Sequence, residues 1–125
     1  MFKIDSNKTI HITRGDIATI EFSALNSDGT SYTFQVGDLV RFGVFTKKNM
    51  NDLIFQKDIT VNEATTKVDI DLLEEDTKIG DIINKPVEYW YEIQLNPDTE
   101  PQTIIGYDEN GAKIFKLYPE GTEEW

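Results

Sequence analysis

Apolar and polar residues alternate with a period of two along most of this chain. Ala18, Ile20, Phe22 and Ala24 fall on one side, and Thr19, Glu21 and Ser23 on the other. Val40, Phe42 and Val44 alternate with Arg41 and Gly43, and Val68, Ile70 and Leu72 with Asp69 and Asp71. Leu53, Phe55, Ile59 and Val61 alternate with Gln56, Asp58 and Thr60, with Lys57 interrupting the apolar side. Tyr89, Tyr91, Ile93 and Leu95 alternate with Trp90, Glu92 and Gln94. Successive strand residues point to opposite faces, so each run predicts a half-buried β-strand. Helical signal is confined to Leu72–Ile79, where Leu72, Leu73, Asp76 and Ile79 allow one or two turns before Gly80 stops them.

Turn residues punctuate these runs. Arg14-Gly15-Asp16, Ser27-Asp28-Gly29, Gly37-Asp38, Lys48 to Asp52, Asn62-Glu63, Gly80-Asp81 and Asn96-Pro97-Asp98 lie between candidate strands. Asn110-Gly111 is the sharpest hairpin signal, as a type I′ turn with positive φ at both central positions. Short strands at such spacing predict an all-β sandwich or barrel. The expected core is Ile20, Phe22, Val40, Phe42, Val44, Phe55, Ile59, Val68, Ile70, Leu72, Tyr89, Tyr91, Ile93, Leu95, Ile105 and Phe115. No linker or repeat divides the chain. One sandwich domain is expected over 1–118, followed by a polar tail over 119–125.

Composition narrows the function classes. At 125 residues the chain suits a single domain, and 38% hydrophobic content gives it a core to bury. It has no cysteine, which removes disulfides, thiol catalysis and cysteine zinc sites, and one histidine, His11. No apolar run approaches the ~18–20 residues of a membrane-spanning helix. The first residues lack the apolar stretch of a signal peptide. The net charge is −11, and strong acidity repels nucleic-acid phosphate. Neither a membrane nor a nucleic acid is therefore an expected partner. The charge is uneven: residues 1–57 carry 7 basic and 6 acidic side chains, and residues 58–125 carry 5 and 17. Asp69 to Asp81 is the densest acidic stretch. It reads as a solvated face or, more sharply, as a docking surface for a basic partner.

Candidate chemistry is sparse. Arg14-Gly15-Asp16 spells an adhesion tripeptide, but it sits between two strand-like segments with no protruding loop, and a tight turn or bulge explains it. His11, between Ile10 and Ile12, has no nucleophile or orienting group implied beside it. Asp58, Asp69, Asp71 and Glu92 lie opposite the apolar positions, where solvated carboxylates make poor general acids. Neither Asp69–Asp71 nor Asp108–Gly111 has the spacing of an EF-hand loop. The chain is thus read as non-enzymatic, with no catalytic residue, metal ligand or cofactor. Aromatic residues are the remaining candidates. With the Tyr89 face in the core, Trp90 points to the opposite face, where it suits a protein interface or a sugar platform unless that face is also covered. Trp90, Tyr107, Tyr118 and Trp125 are the candidate interface residues.

Four segments carry a family resemblance. They are Ile12 to Phe22; Asp28 to Phe34 with Gly37 to Val44; Leu73 to Ile79 followed by Tyr89-Trp90-Tyr91-Glu92-Ile93-Gln94-Leu95; and Thr103 to Gly121. In this order they resemble the small immunoglobulin-like domains of phage tail and baseplate proteins, in particular the N-terminal domain of the baseplate upper protein family. The resemblance implies an antiparallel immunoglobulin-like β-sandwich with one short helical turn. It implies a non-enzymatic structural or adaptor component of a phage or prophage tail or baseplate, acting through protein–protein assembly. Its partners would be other tail or baseplate subunits or a second copy of itself. Its place would be the virion, after synthesis in the host bacterial cytoplasm. In such a sandwich Tyr89 or Tyr91 would serve as a corner tyrosine, with both largely buried. The alternative reading is a module that recognises carbohydrate or the host surface, which a coplanar pair such as Trp90 and Tyr107 would favour.

Overall fold

A computed structural model describes residues 2–4, 8–109 and 111–120, without the side chains of 49–51. The described residues form strands β1 (Phe2–Ile4), β2 (Ile10–Thr13), β3 (Ala18–Phe22), β4 (Leu39–Thr46), β5 (Asn49–Thr60) and β6 (Val68–Leu72). A single helical turn, α1 (Glu74–Thr77), precedes β7 (Val87–Leu95), β8 (Gln102–Ile105) and β9 (Lys113–Tyr118). The larger sheet runs β1-β2-β9-β7-β4-β5, with β8 pairing β7 beyond the end of β9; the smaller sheet is β3–β6. Side chains from both sheets share one core, so the fold is an all-β sandwich with one short helical turn.

The pairing departs from the expected antiparallel pattern at one place. β2 and β9 run parallel, with Ile10 opposite Phe115 and Ile12 opposite Leu117. All four of these side chains are fully buried. The pair brings β2 and β9, far apart in sequence, together toward the β1 edge of the larger sheet.

The alternating runs bury the sides they predict, except at Leu53: expected on the side of Phe55, it is turned outward, 46% exposed, by a register shift in the β4–β5 pairing between Val44 and Phe45. Ile20, Phe22, Val40, Phe42, Val44, Val68, Ile70, Leu72, Tyr91, Ile93, Leu95 and Phe115 are buried. Phe55, Ile59, Tyr89 and Ile105 are only half-buried, because they pack at the margins of the core. Ile10, Ile12, Phe34, Val61 and Leu117 complete the core from outside the expected set. Phe34 belongs to no strand; a single bridge to Thr65 holds it, and its ring meets Phe22 and Tyr32 edge-on at 6.1 and 5.1 Å. Lys57 does lie on the core side, opposite Phe42, and its ammonium is answered 2.9 Å away by Asp76 of α1.

Three local structures fix the connections. At Arg14-Gly15-Asp16 the chain turns tightly, with Gly15 at φ 88 and the Asp16 N–H donating to the Thr13 C=O. The buried Thr77 hydroxyl accepts from the Gly15 N–H and donates to the Asp16 C=O, docking α1 on this turn. The Arg14 guanidinium is itself buried. It donates to the carbonyls of Gly80 (2.7 Å) and Ile79 (3.4 Å) and pairs with Glu120 at 2.6 Å. Glu120, within the expected tail, is therefore tied to the sandwich; residues 121–125 lie outside the described set. The hairpin before β9 closes between Asp108 and Gly111, one residue earlier than expected, with Gly111 at φ 93 on its exit. Asn110 lies outside the described residues.

Tyr91, not Tyr89, makes the upstream backbone bond expected of a corner tyrosine. Its hydroxyl donates to the Lys8 C=O at 2.5 Å, so it ties β7 to the segment before β2 rather than to a neighbouring corner. Burial raises the pKa of the Tyr91 phenol.

Candidate interface on the larger sheet

The outer face of the larger sheet follows directly from strand phase. Phe45 lies opposite Trp90, and Trp90 opposite Ile114. On the next strand Leu53 is the partner of Phe45. Their chain neighbours Val44, Tyr91 and Phe115 enter the core, so Phe45, Trp90 and Ile114 share the other face, and a register shift between Val44 and Phe45 turns Leu53 onto it beside them. Gly43 lets the strip close up: a Cβ there would stand 3.0 Å from the Phe45 ring and 3.8 Å from Leu53. Phe45, Trp90 and Ile114 are half-buried by this mutual cover, and Leu53 remains 46% exposed.

Charged groups rim the strip in mutually compensating sets. Arg41 donates to both carboxylate oxygens of Asp58, at 2.9 and 3.0 Å, and reaches Asp98 at 3.4 Å. These carboxylates raise the Arg41 pKa. Glu88 takes Lys47 at 2.9 Å and Lys116 at 4.0 Å, and chiefly the Lys47 bond holds its carboxyl below the ordinary value. Further along, the Tyr118 hydroxyl and His11 Nδ1 are in hydrogen-bond contact at 2.7 Å, with Lys116 5.5 Å from the Tyr118 ring centre.

Glu92 departs from the expectation of a freely solvated carboxylate. It is on the outer face, but the chain after β8 folds against it: a Cβ on Gly106 would come 3.6 Å from the Glu92 Cβ and 2.6 Å from Thr103 Cγ2. The resulting burial pushes the Glu92 pKa up. Only Gly at 106 permits that approach, so this glycine is the sequence signal for the burial of Glu92.

Of the four candidate interface residues, the structure brings Trp90 and Tyr118 onto one face. Tyr107 is 73% exposed on the connection between β8 and β9, and no ring contact joins it to Trp90 among the described residues. Trp125 lies outside the described residues. Phe45, Leu53 and Ile114 are the members of the strip that single-residue reasoning missed; strand pairing, not sequence position, puts them beside Trp90. Among the described residues no three His, Asp or Glu side chains converge as a metal-ligand set.

The opposite surface of the sandwich has another character. Thr19, Glu21, Asp69 and Asp71 are exposed on the outer face of the smaller sheet, with Glu21 opposite Asp69 and Thr19 opposite Asp71. The Thr19 hydroxyl donates to Asp71 at 2.7 Å, and Lys67 reaches Glu21 at 3.5 Å. The sandwich thus has one acidic outer face and one apolar, charge-balanced outer face. No family model, curated protein or solved structure matches this chain.

Proposed function

We propose that this protein is a non-enzymatic assembly module, a structural or adaptor component of a phage or prophage tail or baseplate. The observation that carries the assembly reading is the strip Phe45–Leu53–Trp90–Ile114 on the outer face of the larger sheet, rimmed by paired charges. Aromatic and aliphatic side chains at the centre of a patch, with compensated charges around it, have the anatomy of a protein–protein contact. Glu21, Asp69 and Asp71, the carboxylates of β3 and β6, all lie on the other side, so a second subunit can approach the strip without meeting them. The tail or baseplate setting rests on the resemblance of the four sequence segments.

Two measurements test this reading. Light scattering over a concentration series should show association that Leu53→Asp abolishes while the far-ultraviolet circular dichroism is unchanged. The gene's neighbours should encode tail or baseplate components. A chain that stays monomeric alone and with the products of those neighbouring genes would overturn the assembly reading, and a locus without such genes would overturn the phage setting.

A further inference from the structure

Beside β3 the two sheets part. A groove of about 780 Å³ opens there, within the size range of sites that enclose ligands or peptide side chains. Ile20, Phe22 and Ala24 from β3 and its extension face Ile104 and Ile105 of β8 across it, and Leu25 stands at its rim, 70% exposed. From the β6 side only Lys67, which precedes β6 and reaches across to Glu21, borders the groove, and no residue from Val68 to Leu72 does, so the groove lies along the edge of β3 turned away from β6. Among the described residues no strand pairs that edge. In an antiparallel pair every second residue turns its N–H and C=O away from the partner strand. β3 therefore offers a row of backbone donors and acceptors along the mouth of an apolar groove. Lys8 closes one end, held at φ 70 with its carbonyl on the Tyr91 hydroxyl.

A compact small molecule would fill the apolar walls and leave the backbone row unmet. An extended peptide satisfies both. The period of two then sets its chemistry. Alternate side chains of an added strand enter the groove, and the intervening ones join the outer face of the smaller sheet. That face presents Glu21 next to Asp69, with Asp71 beyond, against Lys67 alone. The Lys67–Glu21 pair is well exposed on both sides, so it gives little neutralisation that a closer cation could not replace. We propose that the β3 edge binds an extended segment of another protein in which apolar and basic residues alternate.

The probe is a fluorescein-labelled peptide, KVKIKVK, with the scrambled KKVKIVK and the acidic EVEIEVE as counterparts. KVKIKVK should bind about tenfold more tightly than its scramble, the difference of roughly one good cross-strand contact set. Binding should slow amide hydrogen exchange in residues 18–24. Glu21→Lys, at an exposed position, should weaken KVKIKVK and strengthen EVEIEVE. Equal affinity for KVKIKVK and its scramble, protection confined to other segments, or indifference to Glu21→Lys would each overturn the proposal. Self-association that KVKIKVK displaces would assign the edge to a second copy instead and overturn it too. Leu53→Asp should leave peptide binding intact. Association that depends on Leu53 without peptide binding would therefore remove this proposal and leave the assembly reading standing.

Discussion

Replacing Arg14 with Met tests whether the buried guanidinium anchors the turn, the helical turn and the chain end together. Met keeps an apolar stem of similar length, so the change isolates the polar contacts. Two of those are short, 2.6 Å to Glu120 and 2.7 Å to the Gly80 carbonyl; the 3.4 Å contact to Ile79 adds little. Hydrogen bonds to a charged group contribute about 1.5–3 kcal/mol each. Breaking one side of a buried ion pair costs about 3–5 kcal/mol. Glu120 retains 17% side-chain exposure and can recover some hydration, which places the expected loss near ~3 kcal/mol, at the low end of that range. For a chain of this size that lowers Tm by roughly 10–15 °C. Urea unfolding followed by tryptophan fluorescence should show a lower midpoint with an unchanged slope. Arg41→Met is the comparator. Arg41 makes a bidentate pair with Asp58, but both partners are far more exposed, so its loss should cost less than about 1 kcal/mol. Added salt should narrow the effect at Arg41 and leave that at Arg14 nearly unchanged. Equal costs at the two arginines would refute the anchoring role.

Tyr91→Phe should destabilise by about 1 kcal/mol through loss of the bond to Lys8, whereas Tyr89→Phe should change stability by under ~0.5 kcal/mol; matched chemical denaturation curves compare them. Asp38 is held below its ordinary pKa: burial opposes this, but the Gln35 N–H, the Tyr32 hydroxyl and the Asn96 amide outweigh it. Its contribution is complete above the unfolded value near ~4 and disappears as pH falls through the lower folded value, so Asp38→Asn should be costly at pH ~7 and nearly neutral in strong acid. The Asp38 contact also raises the Tyr32 phenol to about 12. Glu92 has the opposite sign: its raised pKa penalises the ionised fold above that value and not below the unfolded one. Glu92→Gln should raise Tm slightly at neutral pH, with the gain vanishing in acid.

Strand phase was legible where the alternation ran without a bulge; at Leu53 the register shift opposite Val44 and Phe45 reversed the side, which no period of two reveals. Ile20 and Phe22, Val40 to Val44, Val68 to Leu72, and Tyr91 to Leu95 needed only a period of two, and the turn at Gly15 needed only its chemistry. The remainder depended on pairings that no short window contains. Ile10 and Ile12 form too short a run to rank as core until Phe115 and Leu117 close beside them. Phe34 is buried by two aromatic neighbours and one bridge, with no pattern around it. At Lys57 the charge on the core side has its explanation in Asp76, which reaches it from α1. The candidate strip shows the same division. Trp90 was placed outward by phase alone, while Phe45, Leu53 and Ile114 joined it through strand order.

The parallel β2–β9 pair also governs when this fold can form. Ile10 meets Phe115, so the contact closes every strand from β3 to β8 into one loop. Contacts of such sequence separation impose their entropy cost before they return any stability, and they slow folding. During synthesis β2 has its place in the larger sheet only after β9 has left the ribosome. Until then β2 has only β1 beside it, and the apolar side chains of Ile10 and Ile12 lack the sheet that buries them, the kind of segment that invites misassembly. A pulse-labelled chain should therefore protect the β4–β5 hairpin early and the amides of β2 last.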